Sequence, residues 1–366
     1  MKSPKYIHFV SQYAAPYKGN FIPSLETLEQ SLYDYSVIYI FPRKAENQPW
    51  MTEFRQNHTV RFTDDNVSSF LAVQQLEGIF TEFPPTLIHT HFDGYDVSVV
   101  RATKSFVCNI VWHMHNWLSF MPNIIKRAYQ YWCFFKHYGL SGKKNVYLIS
   151  VCEEMRKFAC KFGFSSKRTI TVPNGIDISR FKLPAPRPQK RTPFIFLAFG
   201  GRNSQKRIDL ICEASKYINT DAPYEIWITE GVDTKDIVNS YKDNKNIKII
   251  PQSENVGILY SMAHCFISSS VHETFSYAIA EASLCGNAII QSDISGTAWN
   301  QDGPATCFFP TEDVQALADC MQKVMNEDEI KLTERCQAAS DFILQNYSLY
   351  AWRNKILQFY RDNKLI

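Results

Sequence analysis

The chain has 366 residues, of which 45% are hydrophobic and 20% charged, with a formal net charge of +3. This mixture is typical of a folded globular protein and excludes a mainly disordered chain. Since single hydrophobic cores stop growing at roughly 250–300 residues, the length predicts about two domains. The ten cysteines form no C-x-x-C pair and have no zinc-site spacing. This pattern favours reduced thiols in a cytosol over a disulfide framework.

The N-terminal residues predict no targeting segment. Their apolar run is short and is interrupted by His8, Ser11 and Gln12, unlike that of a signal peptide. No stretch of the chain approaches the ~20 apolar residues of a membrane span. The sequence therefore predicts a cytoplasmic protein, which would meet a membrane only from its surface.

Charge is unevenly distributed along the chain. Residues 1–190 carry 23 Lys and Arg against 14 Asp and Glu, whereas residues 191–366 carry 16 against 22. The stretch 97–152 has seven basic residues and no acidic one, namely Arg101, Lys104, Lys126, Arg127, Lys136, Lys143 and Lys144. Such an asymmetry indicates either an anionic partner for the first half or a solvated basic face.

The first half has the rhythm of an α/β domain. Short apolar runs predict strands at 6–10, 36–41, 87–91, 108–112 and 146–150. A helical pattern through Leu25, Leu28 and Leu32 follows the first strand. Alternating strands and helices predict a parallel sheet covered by helices, and we assign residues 1–182 to this domain.

A proline-rich segment at 183–193 predicts a stiff linker, after which the α/β rhythm restarts. Strands are predicted at 194–199, 224–229, 247–250, 265–268 and 288–291. We assign residues 194–346 to this second domain. The predicted architecture is two doubly wound, Rossmann-like domains that face a central cleft, because ligands of such sheets bind outside the carboxyl ends of the strands.

The first candidate site follows the strand at 194–199 and reads Gly200-Gly201-Arg202-Asn203-Ser204-Gln205-Lys206. Two glycines let the backbone turn tightly and approach a ligand. Arg202 and Lys206 place two cations at the end of a strand, an arrangement suited to a diphosphate. The segment is neither a Walker loop nor a complete G-x-G-x-x-G pattern, so it is a weak signal alone.

The second candidate site is the segment from His272 to Glu281. A helix is predicted from Thr274 to Cys285, with Gly286 as its C-terminal cap. Glu273 would then lie at the helix mouth, where the amides of Phe275 and Ser276 favour phosphate. Glu281 would lie about two turns further on and offer a second carboxylate for hydroxyl groups. The alternative is structural, with Glu273 as a helix cap and Glu281 as a surface residue.

Histidines cluster at two other strand ends. His89 and His91 end one predicted strand, and His113, His115 and Asn116 end the next. No Asp/Glu–His spacing of a catalytic metal site accompanies them, so a polar contact to substrate is favoured over a metal.

Three segments together resemble the retaining glycosyltransferases of family 4, which have the GT-B fold. These are Val172–Phe181 (VPNGIDISRF), Gly201–Leu210 (GRNSQKRIDL) and Ser268–Asp293 with its E-x7-E pattern. The resemblance implies a hexosyltransferase that takes a sugar from a nucleotide diphosphate donor, with UDP as the expected nucleotide. It also implies no bound cofactor, and a C-terminal helix within 347–366 that crosses back to the first domain.

The resemblance also implies residue roles. Arg202 and Lys206 would neutralise the donor diphosphate, Glu273 would hold the sugar hydroxyls, and Glu281 would hold the ribose. His115 would lie near the sugar as a catalytic residue with Arg202, Lys206 and Glu273, whereas His91, His113 and Asn116 are candidates on the acceptor side. Gly19, Gly201, Thr274, Phe275 and Ser276 would line the donor site. The single glycine at Gly19 and the sequence Glu-Thr-Phe-Ser at 273–276 depart from the family pattern, which affects the choice of sugar.

The family mechanism implies a front-face reaction without a divalent metal, because the sequence has no D-x-D motif. The basic and aromatic segment at 126–144 suits an interfacial helix on anionic lipid, or a core helix with basic edges. The corresponding hypothesis is a glycan or lipid-linked acceptor at the inner face of the plasma membrane. A catalytically inactive nucleotide-binding partner, a GT-B epimerase and a phosphorylase remain alternatives, whereas nucleic-acid binding is disfavoured by the absence of a binding motif.

Overall fold

The structure, a computed structural model, describes residues 4–116, 124–139, 145–181, 192–253 and 255–366. The predicted linker at 183–193 lies outside the described residues except for Thr192 and Pro193. The chain divides into two compact units. Unit 1 contains Met1–Gly175 and Trp352–Ile366, and unit 2 contains Ile176–Ala351.

Unit 1 is built on a seven-stranded parallel sheet with the order β3-β2-β1-β4-β5-β6-β7. Its strands are β1 (Tyr6–Ser11), β2 (Ser36–Pro42), β3 (Thr59–Thr63), β4 (Pro85–His91), β5 (Asn109–Met114), β6 (Val146–Ser150) and β7 (Thr169–Thr171). Its helices are α1 (Phe21–Glu29), α2 (Met51–Asn57), α3 (Phe70–Glu82), α4 (Asp96–Ala102), α5 (Ile124–Gly139) and α6 (Glu153–Lys161). The order reverses between β1 and β4, which is where ligands of such sheets bind.

Unit 2 is built on a six-stranded parallel sheet with the order β10-β9-β8-β11-β12-β13. Its strands are β8 (Phe194–Ala198), β9 (Tyr224–Thr229), β10 (Ile247–Ile250), β11 (Cys265–Ser268), β12 (Ala288–Ser292) and β13 (Thr306–Phe309). Its helices are α7 (Asn203–Lys206), α8 (Ile208–Ala214), α9 (Thr234–Asn239), α10 (Val256–Met262), α11 (Tyr277–Leu284), α12 (Val314–Met325) and α13 (Glu329–Tyr347). The last helix, α14 (Leu349–Asp362), begins in unit 2 and continues into unit 1 from Trp352. Here the order reverses between β8 and β11.

Both sheets are apolar on both faces, as expected for parallel sheets covered by helices. In β1, Phe9 packs into one core of unit 1 and Val10 into the core on the opposite face, because successive side chains of a strand alternate. Helix α14 contributes Trp352, Ile356 and Tyr360 to the core that contains Phe9. The apolar positions of the C-terminal helix thus pack in unit 1.

The boundary of unit 1 lies at Gly175, earlier than the predicted end at 182. Ile176 is held in unit 2 by backbone hydrogen bonds at the end of α13. Its amide donates to the Tyr347 carbonyl over 2.8 Å, and its own carbonyl accepts from the Leu349 amide over 3.0 Å. These bonds draw the segment after Gly175 into unit 2, although the sequence there shows no break.

The predicted fold class is confirmed, since the chain forms two α/β units with parallel sheets and helices. The predicted helix start at Thr274 is wrong, because α11 begins at Tyr277. Ser276 adopts a left-handed conformation with φ of 59°, which prevents the helix from extending towards Thr274. The predicted end is confirmed by Gly286, which has a φ of +77°. Among the described helices, none has the length and apolar character that crossing a bilayer requires.

Candidate functional site

The loops that follow β8 and β11 are hydrogen-bonded to each other at the carboxyl ends of these two neighbouring strands. The Ser269 hydroxyl donates to the Lys206 carbonyl over 2.7 Å, and the Val271 amide donates to the Gln205 carbonyl over 3.0 Å. The two predicted candidate segments, far apart in sequence, therefore form one surface at the point where the strand order reverses.

Lys206 and Glu273 form the centre of this surface. The Lys206 Nζ lies 2.7 Å from the Glu273 Oε1, and the Ser270 hydroxyl donates to the same oxygen over 3.0 Å. The Glu273 side chain is 13% exposed and the Lys206 side chain 31%. The pair offers a cation for phosphate and a carboxylate for hydroxyl groups at adjacent positions.

Arg202 lies on the same loop and is exposed. Its guanidinium makes no ion pair or hydrogen bond with the part of the chain that the structure describes. The Asn203 amide next to it is held by the Asp233 carboxylate over 2.7 Å. A side chain on a fixed backbone without a protein partner is available to an anionic ligand, and a diphosphate contact of Arg202 stays a prediction.

The Gly201 backbone is approached closely by Gly231, from the loop after β9. A Cβ at Gly231 would lie 2.9 Å from the Gly201 Cα, closer than real Cβ atoms come. Neither Gly231 nor Asp233 was predicted. Local sequence spacing gives no signal for them, since they come from the neighbouring strand.

The segment between Glu273 and α11 is a turn. The Phe275 side chain is buried and stacks on Trp299 with ring centroids 4.7 Å apart, while the Phe275 carbonyl accepts from the Trp299 Nε1 over 2.5 Å. The amides of Phe275 and Ser276 precede the helix and are not part of its first turn, contrary to the prediction. Thr274 is half-buried in this turn.

Gly296 fixes the backbone of this turn from the other side. It lies in a 3₁₀ helix, Ser295–Asn300, and a Cβ built on it would overlap the Glu273 carbonyl group and lie 3.0 Å from the Thr274 nitrogen. Only glycine allows this approach. No local spacing indicates this contact, because a helix and a strand separate Gly296 from Glu273 in the chain.

Glu281 is buried, so the alternative that it is a surface residue is wrong. The Tyr260 hydroxyl donates to the Glu281 Oε2 over 3.3 Å, and the Arg180 Nη1 lies 3.5 Å from the Oε1. Burial and the Glu281 charge hold the pKa of Tyr260 well above its ordinary value. Arg180, which no prediction included, is in the segment 172–181 that carries part of the family resemblance.

The predicted histidines of unit 1 lie together at the ends of β4 and β5. The His91 Nδ1 lies 3.1 Å from the His115 Nε2, and the His115 Nδ1 lies 3.0 Å from the Asn174 Oδ1. His91 and His113 are fully buried and His115 is 9% exposed, while Asn116 is exposed. Burial lowers the pKa of His115 to about 4 and those of His91 and His113 well below 6.5, so these rings are neutral.

Gly19 lies in the loop after β1, and β1 is the neighbour of β4 at the reversal of strand order in unit 1. It has a φ of +57°, a left-handed conformation that favours glycine. The left-handed backbone of this loop therefore favours glycine at position 19. Its predicted contact with the donor is a separate matter.

Comparisons with known proteins agree with the fold. Residues 28–180 match the family model described as Glycosyltransferase Family 4, and residues 193–327 match the one described as Glycosyl transferases group 1. An uncharacterized glycosyltransferase of Methanocaldococcus jannaschii is 20% identical over 307 residues, which cover 73% of this chain and 74% of the relative.

Solved structures share the whole fold. A glycosyltransferase from Rickettsia africae has a TM-score of 0.78 at 16% identity, over 99% of each chain. The Anabaena protein HepE in complex with UDP has a TM-score of 0.77 at 15% identity, over 98% of this chain and 100% of that chain. Other structures of HepE contain UDP with glucose, or UDP-glucose.

Two Rossmann-like units, each covered largely by a glycosyltransferase family model, define a glycosyltransferase of the GT-B type. The chain is therefore a transferase enzyme. Its first unit corresponds to the family 4 model and its second, which contains Lys206, Glu273 and Glu281, to the group 1 model.

Proposed function

We propose that the protein is a retaining hexosyltransferase, which transfers a sugar from a UDP-sugar to a glycan or lipid-linked acceptor in polysaccharide assembly. The observation that carries the proposal is the Lys206–Glu273 pair beside the open Arg202, at the reversal of strand order in unit 2. A diphosphate needs cations, a sugar needs hydrogen-bond acceptors, and this surface offers both. The UDP and UDP-glucose complexes of the HepE structures support the choice of nucleotide.

In the proposed mechanism, Arg202 and Lys206 neutralise the charge that develops on the diphosphate as the glycosidic bond breaks. Glu273, released from Lys206 by the incoming phosphate, accepts hydrogen bonds from sugar hydroxyls. Glu281 accepts hydrogen bonds from the ribose, with Arg180 and Tyr260 holding its carboxylate in place.

The acceptor hydroxyl attacks the anomeric carbon on the face from which the diphosphate leaves, so the configuration is retained. A leaving phosphate oxygen takes the proton of that hydroxyl. Two cations supply the charge stabilisation at the diphosphate, and the sequence contains no D-x-D motif. We therefore expect turnover without a divalent metal at the diphosphate.

Calorimetric titration of UDP, GDP and ADP tests the nucleotide site directly. We expect UDP to bind with micromolar affinity, and we expect Arg202→Ala/Lys206→Ala to lose roughly 100-fold or more, since hydrogen bonds to charged groups contribute about 1.5–3 kcal/mol each. The control is Lys216→Ala/Lys248→Ala, which removes two exposed cations of the same unit from ion pairs with Glu213 and Glu225. If none of the three nucleotides binds to the folded protein, the proposed donor site is wrong.

Two other functions remain candidates, and donor turnover separates them from transfer. An inactive nucleotide-binding partner would bind UDP without cleaving any UDP-sugar. An epimerase would convert a UDP-sugar into an isomer without an acceptor. Release of UDP that depends on an added acceptor supports the transferase.

Helix α5 supports the proposed contact with a membrane surface. One side of it is docked, since Tyr138 is buried and the His137 Nε2 lies 3.3 Å from the Asp96 Oδ2. The other side exposes five large apolar residues, namely Ile124, Ile125, Tyr129, Trp132 and Phe135. The helix lies in the acid-free stretch 97–152, so its charge complements anionic lipid. The alternative of a core helix with basic edges accounts for the docked side only. Lys143 and Lys144 lie outside the described residues.

Sedimentation with phosphatidylglycerol vesicles at low salt checks the membrane contact. We expect the protein to bind these vesicles, to bind less as salt rises, and to lose most binding in Trp132→Ser/Phe135→Ser. The matched control is Phe70→Ser/Leu71→Ser, which removes two exposed apolar residues from α3. Equal binding by both variants, or no binding of the wild type, would contradict the proposal.

A further inference from the structure

The face of the unit 1 sheet beneath α14 carries a cluster of four histidines, His89, His91, His113 and His115. His91 lies directly opposite His113 in the pairing of β4 with β5. His89 and His115 are each two residues away along these strands, so all four side chains point to the same face. His89, His91 and His113 are fully buried.

Helix α14 covers this histidine cluster. The Tyr360 hydroxyl lies 2.5 Å from the His89 Nδ1, and the Trp352 ring stacks on the His113 ring with centroids 6.1 Å apart and an angle of 15°. The cluster is therefore enclosed between the sheet and the C-terminal helix.

The hydrogen bonds of the cluster leave two ring nitrogens unused. The His115 Nδ1 donates to the Asn174 Oδ1, so the His115 Nε2 is an acceptor and takes its hydrogen bond from the His91 Nδ1. The His91 Nε2 is then unprotonated. Neither it nor the His113 Nε2 has a partner among the described residues. Buried polar atoms without partners are rare in folded proteins, and the unprotonated His91 Nε2 points to a missing ligand.

The three fully buried rings also lie close to the spacing of a metal site. Ligand nitrogens of His89, His91 and His113 all lie within 4.8 Å of one another, and the His89 Nε2 is 3.2 Å from the His113 Nδ1. Bonds of about 2.0–2.1 Å around a tetrahedral zinc ion place two nitrogens roughly 3.4 Å apart. Displacements on the order of 1 Å would bring the three nitrogens to that spacing.

We propose that His89, His91 and His113 form a buried site for a divalent transition metal that prefers imidazole ligands, such as Zn²⁺, Co²⁺ or Ni²⁺. Neutral imidazoles are the form that binds these metals. Tyr360 and His115 bind the other ring nitrogens of His89 and His91, which is the support that metal-bound histidines usually have. The bound metal would fasten α14 to the sheet.

From the sequence alone, these histidines are expected at two strand ends, and a substrate contact is favoured over a metal because no single strand offers more than two ligands. Spacing within one strand gives only His-x-His, which has no carboxylate partner and no third ligand. The third ligand depends on the register of β4 with β5, and the enclosure depends on a helix more than 200 residues away.

Titration of the untagged, metal-free protein with Co²⁺ tests the site, with overnight equilibration because the rings are buried. We expect one equivalent to bind with the intense visible bands of four-coordinate cobalt, and Zn²⁺ to displace it. We expect Zn²⁺ to raise Tm by roughly 5 °C or more. These readouts are independent of sugar transfer, so they do not depend on the proposed function.

His91→Gln and His113→Gln should abolish the cobalt bands and the Zn²⁺-dependent rise in Tm. His8→Gln is the control, because His8 is a fully buried histidine of the same sheet with an unpartnered Nδ1 and lies outside the cluster. Cobalt bands that persist in His91→Gln, or no tetrahedral bands in the wild type, would overturn the proposal. The wild-type and His8→Gln spectra decide the outcome even if a cluster variant fails to fold.

Discussion

Glu273→Gln is expected to lower the turnover of the UDP-sugar roughly 100-fold while UDP itself binds at least as tightly as in the wild type. The variant keeps the size of the side chain and a hydrogen-bond acceptor, but it removes the charge that strengthens bonds to sugar hydroxyls. A hydrogen bond to a charged group contributes about 1.5–3 kcal/mol, and each 1.36 kcal/mol is a factor of ten in rate. Steady-state turnover and calorimetry with UDP measure the two effects separately.

Turnover is expected to fall while UDP affinity is kept or raised, because Glu273 is paired with Lys206. The Lys206 Nζ lies 2.7 Å from the Glu273 carboxylate, so a diphosphate must compete for it. Removing the carboxylate charge frees Lys206 for the phosphate and removes repulsion between two anions. Lys206→Met should therefore weaken UDP binding, whereas Glu273→Gln should not.

UDP binding by Lys206→Met and by Glu273→Gln, measured side by side, is the control for the assignment of Glu273 to the sugar hydroxyls. If both weaken UDP binding to the same extent, the pair acts only as a structural ion pair, and Glu273 has no separate role towards the sugar. If Glu273→Gln turns over the donor at the wild-type rate, the assignment of Glu273 to the sugar hydroxyls is wrong.

The features that depend on neighbouring residues in the chain could be predicted from the sequence. Strands β6, β9, β10 and β11 match the predicted bounds, because short apolar runs between turn residues define buried parallel strands. Lys206 and Glu273 were placed on loops at strand ends, and these loops meet because β8 and β11 are neighbours in the sheet.

What the sequence could not predict depends on contacts between distant segments. Arg180 reaches Glu281 across about a hundred residues, and Tyr360 reaches His89 across most of the chain. The start of α11 was misplaced for a different reason. The sequence Thr-Phe-Ser-Tyr has no proline or glycine to stop a helix, and only the left-handed Ser276, held in a turn by the Phe275 contacts, sets the boundary.

Gly296→Ala is expected to destabilise unit 2 by about 1–3 kcal/mol and to lower donor turnover more than UDP affinity. The added Cβ would overlap the backbone carbonyl of Glu273, and neither backbone segment can move aside as a flexible side chain would. Overpacking of a closely packed site typically costs ~1–3 kcal/mol. The strain would be relieved by shifting the Glu273–Thr274 turn, and with it the carboxylate assigned to the sugar.

Gly78→Ala provides the matched control, because a Cβ at Gly78 meets nothing within 4 Å. Gly78 lies inside α3, where alanine is favoured over glycine by roughly 0.5–1 kcal/mol, so this change should stabilise unit 1 slightly and leave turnover unaltered. Thermal unfolding and steady-state turnover of both variants distinguish a specific overlap at Gly296 from a general effect of replacing glycine. If Gly296→Ala folds with wild-type Tm and turnover, then the contact with Glu273 does not position the carboxylate, and the turn must be held by the Phe275–Trp299 contacts instead.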